Sequence, residues 1–271
     1  MTRVTGLTDD HVHSIAGSSD ARDTVEVLCA RAVELGLAGL CFTEHLDFNR
    51  DIPEYGYYVY DRVCAAVDAA RARYGDRLEI RMGLEVDFEP KFADEIAETL
   101  PRLPVDFILG AVHVVQGQHI MLHAVAGRAW SSTALAAFYR DYFTSLRALL
   151  RCGVADCLAH VDYPAKRGMR AADGRPVDGY DAELAATLAL AVELGVGIEL
   201  NTKNVRAGAP LAAPPAALRQ YLALGGRHVT LGSDTHGVEQ LGDGLEIARV
   251  LLSEYGVAPV FFRGRKAVSI E

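Results

Sequence analysis

Residues 7–13, "LTDDHVH", 20–35, "DARDTVEVLCARAVEL", and 37–45, "LAGLCFTEH", make one strand–helix–strand unit, and its reading decides the fold. If the first piece is extended, His11 and His13 share a face and Val12 takes the other. In the second, Val25, Leu28, Cys29, Ala32 and Val33 fall at helical spacing, and Gly36 stands where a helix would stop. The third is a short apolar run that ends in polar groups. The unit then repeats. Helical spacing over 59–74 leads to "LEIRMGLEVDF" at 78–88, and a helix near 91–101 to "VDFILGAVH" at 105–113. A long helix over 132–151 precedes "VADCLAH" at 154–160, and helix 180–194 ends at Gly195 before "VGIELN". Helix 214–224 leads into "HVTLGSD" at 228–234, and helix 243–255 into the tail "VAPVFFRGRKAVSIE".

Short apolar strands alternating with helices predict an α/β fold with a mostly parallel, helix-covered sheet. About seven units, with no Gly-x-Gly-x-x-Gly turn, favour a closed or nearly closed barrel over an open dinucleotide-binding sheet. Residues 167–181 and 206–215 read as loops over one mouth. Nothing marks a domain boundary, so a single domain over 1–271 is expected.

Composition narrows the function. The 271 residues are 50% apolar with a formal charge of −9 and no basic stripe. That argues against a nucleic-acid partner, though not against a small anion held in a local pocket. The five cysteines Cys29, Cys41, Cys64, Cys152 and Cys157 form no Cys-x-x-Cys pair. Most sit among apolar neighbours, as buried thiols do in a reducing compartment. No signal-peptide pattern opens the chain and no apolar run is long enough for a bilayer, so a cytoplasmic protein without a membrane partner is expected.

The polar residues recur at one place in each unit, the C-terminal end of its strand. They are His11 and His13, Glu44 and His45, Glu85, His113, His160, Glu199 and Asn201, then Asp234 and His236. Six of the nine histidines obey this rule. Parallel strand ends converge on one face of a barrel, where active sites are built. A single histidine or carboxylate there reads as well as a satisfied core residue or a helix cap. Together they do not: imidazoles and carboxylates crowded at one mouth are costly unless divalent cations bind the neutral rings and ionised carboxylates. One tetrahedral zinc takes about four ligands. The larger set predicts two or three divalent transition metals, with Glu85 a natural bridge. His228 starts a strand at the opposite end and reads as structural, while His119 and His123 follow His113 in a loop. No Gly-x-Ser-x-Gly elbow, P-loop or His-Glu-x-x-His helix competes. Hydroxide generated by the cations is therefore the expected nucleophile, hydrolysis the reaction class, and a phosphate ester a well-suited substrate.

The stretches "DDHVHS", "FTEHLDF", "GLEVDF", "GAVHVV", "LAHVDYPAKRG", "IELNTKNVR" and "GSDTHG", in this order, resemble the polymerase-and-histidinol-phosphatase (PHP) superfamily. Within it they most resemble the monofunctional histidinol-phosphate phosphatases. The resemblance implies a distorted (β/α)7 TIM-like barrel and a trinuclear site of zinc, iron or manganese. By that likeness His11 and His13 hold one metal with Glu85 and Asp234. Glu85 bridges to a second metal on His113 and His160, and a third sits near His45 and His236. Asp9 matches the aspartate of Asp-x-His-x-His and would orient an imidazole.

Three departures stand out. Many relatives carry a histidine six residues after the second histidine of the motif, where this chain has Ser19. Asp20, one residue on, would serve as the third-metal ligand, or else Asp20 or Ser18 caps the next helix. Lys203 replaces a small residue, either adding positive charge near the substrate or pointing outward, while Arg206 keeps its place. The segment 114–127 also lacks the family's aromatic and acidic wording. Arg167, beside Lys166, is the expected phosphate ligand, since its planar fork suits two oxygens; the alternative is a solvated basic loop. The implied reaction is hydrolysis of L-histidinol phosphate to L-histidinol and phosphate, in histidine biosynthesis. A metal-bound water or a rim residue such as Asp234 or His236 would protonate the leaving oxygen, and the sequence leaves that general acid unassigned. The rivals are a phosphoesterase for a nucleotide or sugar phosphate, and a non-catalytic metal-binding barrel.

Overall fold

A computed structural model describes residues 6–121, 130–203, 205 and 215–270. Seven parallel strands run in the order β1 (Thr8–Val12), β2 (Gly39–Leu46), β3 (Glu79–Asp87), β4 (Phe107–Ala111), β7 (Cys157–Leu158), β8 (Gly197–Asn201) and β9 (Val229–Gly232). The small ribbon β5 (Val114–Val115) with β6 (Gln118–His119) follows β4. The edge strands meet through one parallel bridge, Val12 to Thr235, where His13 N–H donates to Thr235 O at 2.9 Å. The sheet is thus a nearly closed α/β barrel, as the strand count predicts.

The helices are α1 (Val25–Leu35), α2 (Tyr60–Tyr74), α3 (Ala93–Thr99), α4 (Ser132–Cys152), α5 (Tyr163–Lys166), α6 (Tyr180–Glu193), α7 (Pro215–Ala223) and α8 (Leu245–Glu254). They pack outside the strands. In α4, Leu135, Phe138, Tyr142, Leu146 and Leu149 are buried at helical spacing. Side chains of this size each contribute about 1.5–3 kcal/mol on burial. The first helix starts later than 20. Thr24 is its N-cap, its side chain accepting from Val27 N–H, so neither Ser18 nor Asp20 caps it. The 91–101 segment is a short α-helix between two 3-10 turns, Pro90–Phe92 and Leu100–Arg102.

A second, smaller apolar cluster fills the barrel. Cys41, Phe107, Leu109, Ala111, Cys157 and Ala159 pack there against Val260 and Phe262. These last two belong to the C-terminal hairpin of β10 (Val260–Arg263) and β11 (Lys266–Ser269). Its turn residues Gly264 and Arg265 both have left-handed φ, the geometry two-residue hairpins favour. Register partners His45, Glu85, Leu109 and Cys157 share the inner face, so Glu85 stands beside this plug. Arg81, four residues earlier on the same face, is buried with Asp10, its Nη2 2.7 Å from Asp10 Oδ1. Its guanidinium lies 4.4 Å over the Phe261 ring.

Candidate metal centre

The register of β1 shifts between Asp9 and Val12. A bulge of this kind breaks strict alternation, and here consecutive residues Asp10 and His11 both make barrel contacts, with Arg81 and Glu85. Asp9 takes another path. Its carboxylate accepts from Ser233 N–H (2.9 Å), Ser233 Oγ (2.6 Å) and Gly242 N–H (3.0 Å). The expectation that Asp9 orients an imidazole is corrected: Glu199 does so, its Oε1 2.5 Å from His11 Nδ1, while its Oε2 accepts from His160 N–H at 2.9 Å. Asp9 instead ties the first strand to the end of the last.

Glu85 is the hub. Its Oε1 lies 2.8 Å from His160 Nε2 and 3.5 Å from His113 Nε2. Its Oε2 lies 3.1 Å from His45 Nδ1, 3.3 Å from His11 Nε2 and 3.5 Å from His13 Nε2. Three sets of converging donors result: His11, His13 and Asp234; Glu85, His113 and His160; and His13, His45 and His236. Asp20 adds to the third set, with Oδ2 2.9 Å from His236 Nε2 and Oδ1 3.7 Å from His45 Nε2.

Local structure aims these donors. Ser18 Oγ donates its one hydrogen to Glu44 Oε2 at 2.7 Å and lies 3.1 Å from His13 Nδ1. Its remaining role is to accept from His13 Nδ1–H, which leaves the Nε2 lone pair facing the cluster. Glu199 fixes His11 in the same sense. His160 and Asp234 both carry left-handed φ, 23° and 53°, a conformation that persists only where surrounding structure imposes it. Gly232 admits this crowding, because a Cβ there would collide with Glu199 and His11. Glu44, although at a strand end, faces the 14–18 loop, where Ser14 and Ser18 donate to it.

Among the protein groups alone, burial reinforced by His45, His236 and His11 holds the His13 pKa well below the usual histidine value. Burial also lowers His113 and His160. Burial opposes ionisation of Glu85, yet neighbouring imidazoles, His11 and His113 first, bring its pKa well below the usual range. Asp234 is lowered likewise against its burial, by Lys166 and Lys203. Asp20 falls to about 2, the His236 hydrogen bond and nearby charges outweighing burial. His11 and His45 differ: against their burial, Glu199 and Glu85 raise His11 well above the usual histidine value, and Glu85 with Asp20 raises His45 to about 10, so a cation binding there would displace a proton. Neutral rings at His13, His113 and His160 beside ionised carboxylates form a donor set suited to divalent cations.

The basic residues split. Lys166 is no solvated loop residue. It is buried, with Nζ 2.8 Å from both Asp234 Oδ2 and Asn201 Oδ1. Lys203 does not point outward: its Nζ lies 2.7 Å from Asp234 Oδ1 and 3.2 Å from His236 Nδ1. Arg167 stacks over Tyr163 at 4.9 Å. A cavity opens on the cluster and is lined by Arg167 and Lys203 together with Asp20, Asp47, Glu54 and His119. His228 lies in a different hollow, beside Tyr255 and Val260. Arg206 and His123 lie outside the described residues. Glu199 and Lys166 were the residues sequence reasoning undervalued, the first for want of an assigned role and the second because adjacent basic residues look solvated. No helix among the described residues is long and apolar enough to cross a membrane.

A family model described as the PHP domain matches residues 9–203. Asp234 and His236 lie beyond that match and join the site through β9. A probable histidinol-phosphatase of Deinococcus radiodurans is 29% identical over 275 residues, covering 97% of this chain and 99% of that protein. A histidinol-phosphatase of Lactococcus lactis is 24% identical, covering 92% of this chain and 91% of its own. In fold, the chain is similar to the crystal structure of a histidinol phosphate phosphatase from Lactococcus lactis complexed with zinc, L-histidinol and phosphate. The TM-score is 0.84 at 22% identity, over 98% of this chain and 100% of that one.

Proposed function

Starting from a chain that belongs to the PHP domain family, we propose that its site hydrolyses L-histidinol phosphate to L-histidinol and phosphate, with two or three divalent transition metals as cofactors. The observation that carries this reading is the three sets of donors, two of them sharing His13 and all of them meeting Glu85, beneath one cavity. The donors fit such cations. His11 Nε2 and His13 Nε2 are buried without a hydrogen-bond partner, each 3.9 Å from Asp234 Oδ1. Leaving such atoms unpaired is costly, and cations satisfy them. The substrate itself is supported by the names of the similar proteins, which cover nearly the whole of both chains.

His11, His13 and Asp234 would hold one cation and His113 and His160 a second, with Glu85 serving both sets. Asp20, His45 and His236 form the third, with Asp20 taking the place of the absent histidine. Cations held by these residues would supply activation of water for attack on phosphorus and neutralise charge on the phosphoryl oxygens. The chain's own residues do the rest. Glu199 and Ser18 hold His11 and His13 in the tautomers that present Nε2. Lys166, through its bond to Asp234 Oδ2, orients that carboxylate. Arg167 and Lys203 hold the phosphate of the ester, the arginine by its two-pronged fork.

Phosphate release from L-histidinol phosphate, compared with sugar and nucleotide monophosphates and paired with metal content of the same sample, tests the proposal. Preferential, metal-dependent turnover of histidinol phosphate is expected. Equal or faster turnover of another monoester would reassign the substrate, and a protein that binds no transition metal and cleaves no ester would refute the reading.

A further inference from the structure

The cavity over the metal centre is lined by charges of both signs, and the reaction as proposed uses only part of them. Arg167 and Lys203 answer the phosphate. Asp47 and Glu54 also line the cavity, with Ile52 and Met121. Asp47 Oδ2 is buried and has no hydrogen-bond partner. Behind it Asp87 is buried as well, its Oδ1 accepting from His113 N–H at 2.8 Å. No ion pair with a lysine or arginine is found for Asp47 or Glu54 among the described residues, whereas Asp234, on the same cavity, holds two lysines. A carboxylate oxygen withdrawn from water and left unpaired is unfavourable, and an ammonium placed against it removes the penalty.

We propose that Asp47 and Glu54 are specificity-determining residues that receive the ammonium group of the substrate's alcohol half, which makes the preferred class phosphate monoesters of amino alcohols. This rests on the phosphatase reading and adds a selection rule to it. Charge discriminates here in both directions. An ammonium ester satisfies the unpaired oxygen, while a sugar or nucleotide phosphate brings hydroxyls or further negative charge to the same wall. Of the segment that departs from the family's wording, His119 and Met121 line the same cavity.

The test is the ratio of kcat/KM for L-histidinol phosphate to that for a neutral alkyl phosphate of similar length, in wild type, Asp47→Asn, Glu54→Gln and the double variant. The metal content of every sample is measured alongside. The ratio should fall at least about tenfold in the double variant, mainly through KM for the cationic ester. Inhibition by L-histidinol alone should weaken in parallel. A ratio unchanged in all variants overturns the proposal and leaves the phosphatase reading standing. So does a loss on both esters that follows a loss of metal, which would place Asp47 behind the ligands. The Glu54→Gln variant, nine residues from His45, separates these cases. Absence of turnover of every ester by the metal-loaded wild type would refute the phosphatase reading, and this one with it.

Discussion

Glu85→Gln tests the centre most directly, because the two oxygens of Glu85 face different donors. Oε1 is 2.8 Å from His160 and Oε2 is 3.1–3.5 Å from His45, His11 and His13. Glutamine keeps the shape but makes one side a donor NH2 group, which cannot ligate a cation. It also removes a full negative charge. At about 4 Å and an effective dielectric near 20, that charge is worth about 4 kcal/mol per unit of cation charge, roughly a thousandfold or more in metal affinity. Purified Glu85→Gln, equilibrated against a buffered zinc or manganese series, should therefore lose at least one metal equivalent and weaken the next. Phosphate release should fall at least about a thousandfold with it. Elemental analysis and a titration with a chromogenic chelator read the two effects separately. A variant holding the wild-type metal complement at wild-type affinity would refute the idea that this carboxylate joins two metals, whatever its activity.

Three further outcomes follow from particular residues. Asp20→Ala, at a side chain 50% exposed, should leave the fold intact and remove the metal held with His45 and His236 alone; an unaltered metal count would argue against Asp20 as a ligand. The buried pair Arg81–Asp10 should show strong coupling. Arg81→Met alone should cost about 3–5 kcal/mol by stranding a carboxylate, while Arg81→Met with Asp10→Leu recovers much of it. Chelator-treated protein unfolded in urea would expose additive behaviour if this is mistaken. Glu44 provides a pH signature. Burial, only partly offset by bonds from Ser14 and Ser18, raises its pKa to about 7 from an ordinary 4.5. The folded state then binds the proton more tightly than the unfolded one, so stability is fullest below about pH 4.5 and declines as pH rises toward 7. Relative to Glu44→Gln, wild type should lose on the order of 3 kcal/mol across that window. Melting curves whose difference stays constant from pH 4.5 to 8 would contradict it.

The candidate site was legible in sequence wherever it depended on strand period and strand ends. His11 and His13 share a face because side chains alternate, and His45, Glu85 and His160 were found because parallel strands deliver their C-terminal residues to one mouth. The resemblance to a family added the grouping of donors and drew attention to Asp20. Other features depended on contacts between distant segments. The bulge that brings Asp10 into the barrel beside His11 is invisible in "DDHVHS", where alternation would place Asp10 on the face of Val12. Glu199 reads as one more strand-end carboxylate until His11 is placed against it, 188 positions away in sequence.

The periodicity of apolar residues, which is a local property, determined by itself that this chain alternates strands with helices and gathers nitrogen and oxygen donors at one opening. Only the tertiary structure decided which oxygen faces which ring, that Lys166 is buried on Asp234, and that Asp47 lines the cavity with an unpaired oxygen. Those outcomes depend on distances between side chains brought together by barrel closure. Charge and hydrogen bonding act over a few ångströms in space, whatever the separation along the chain.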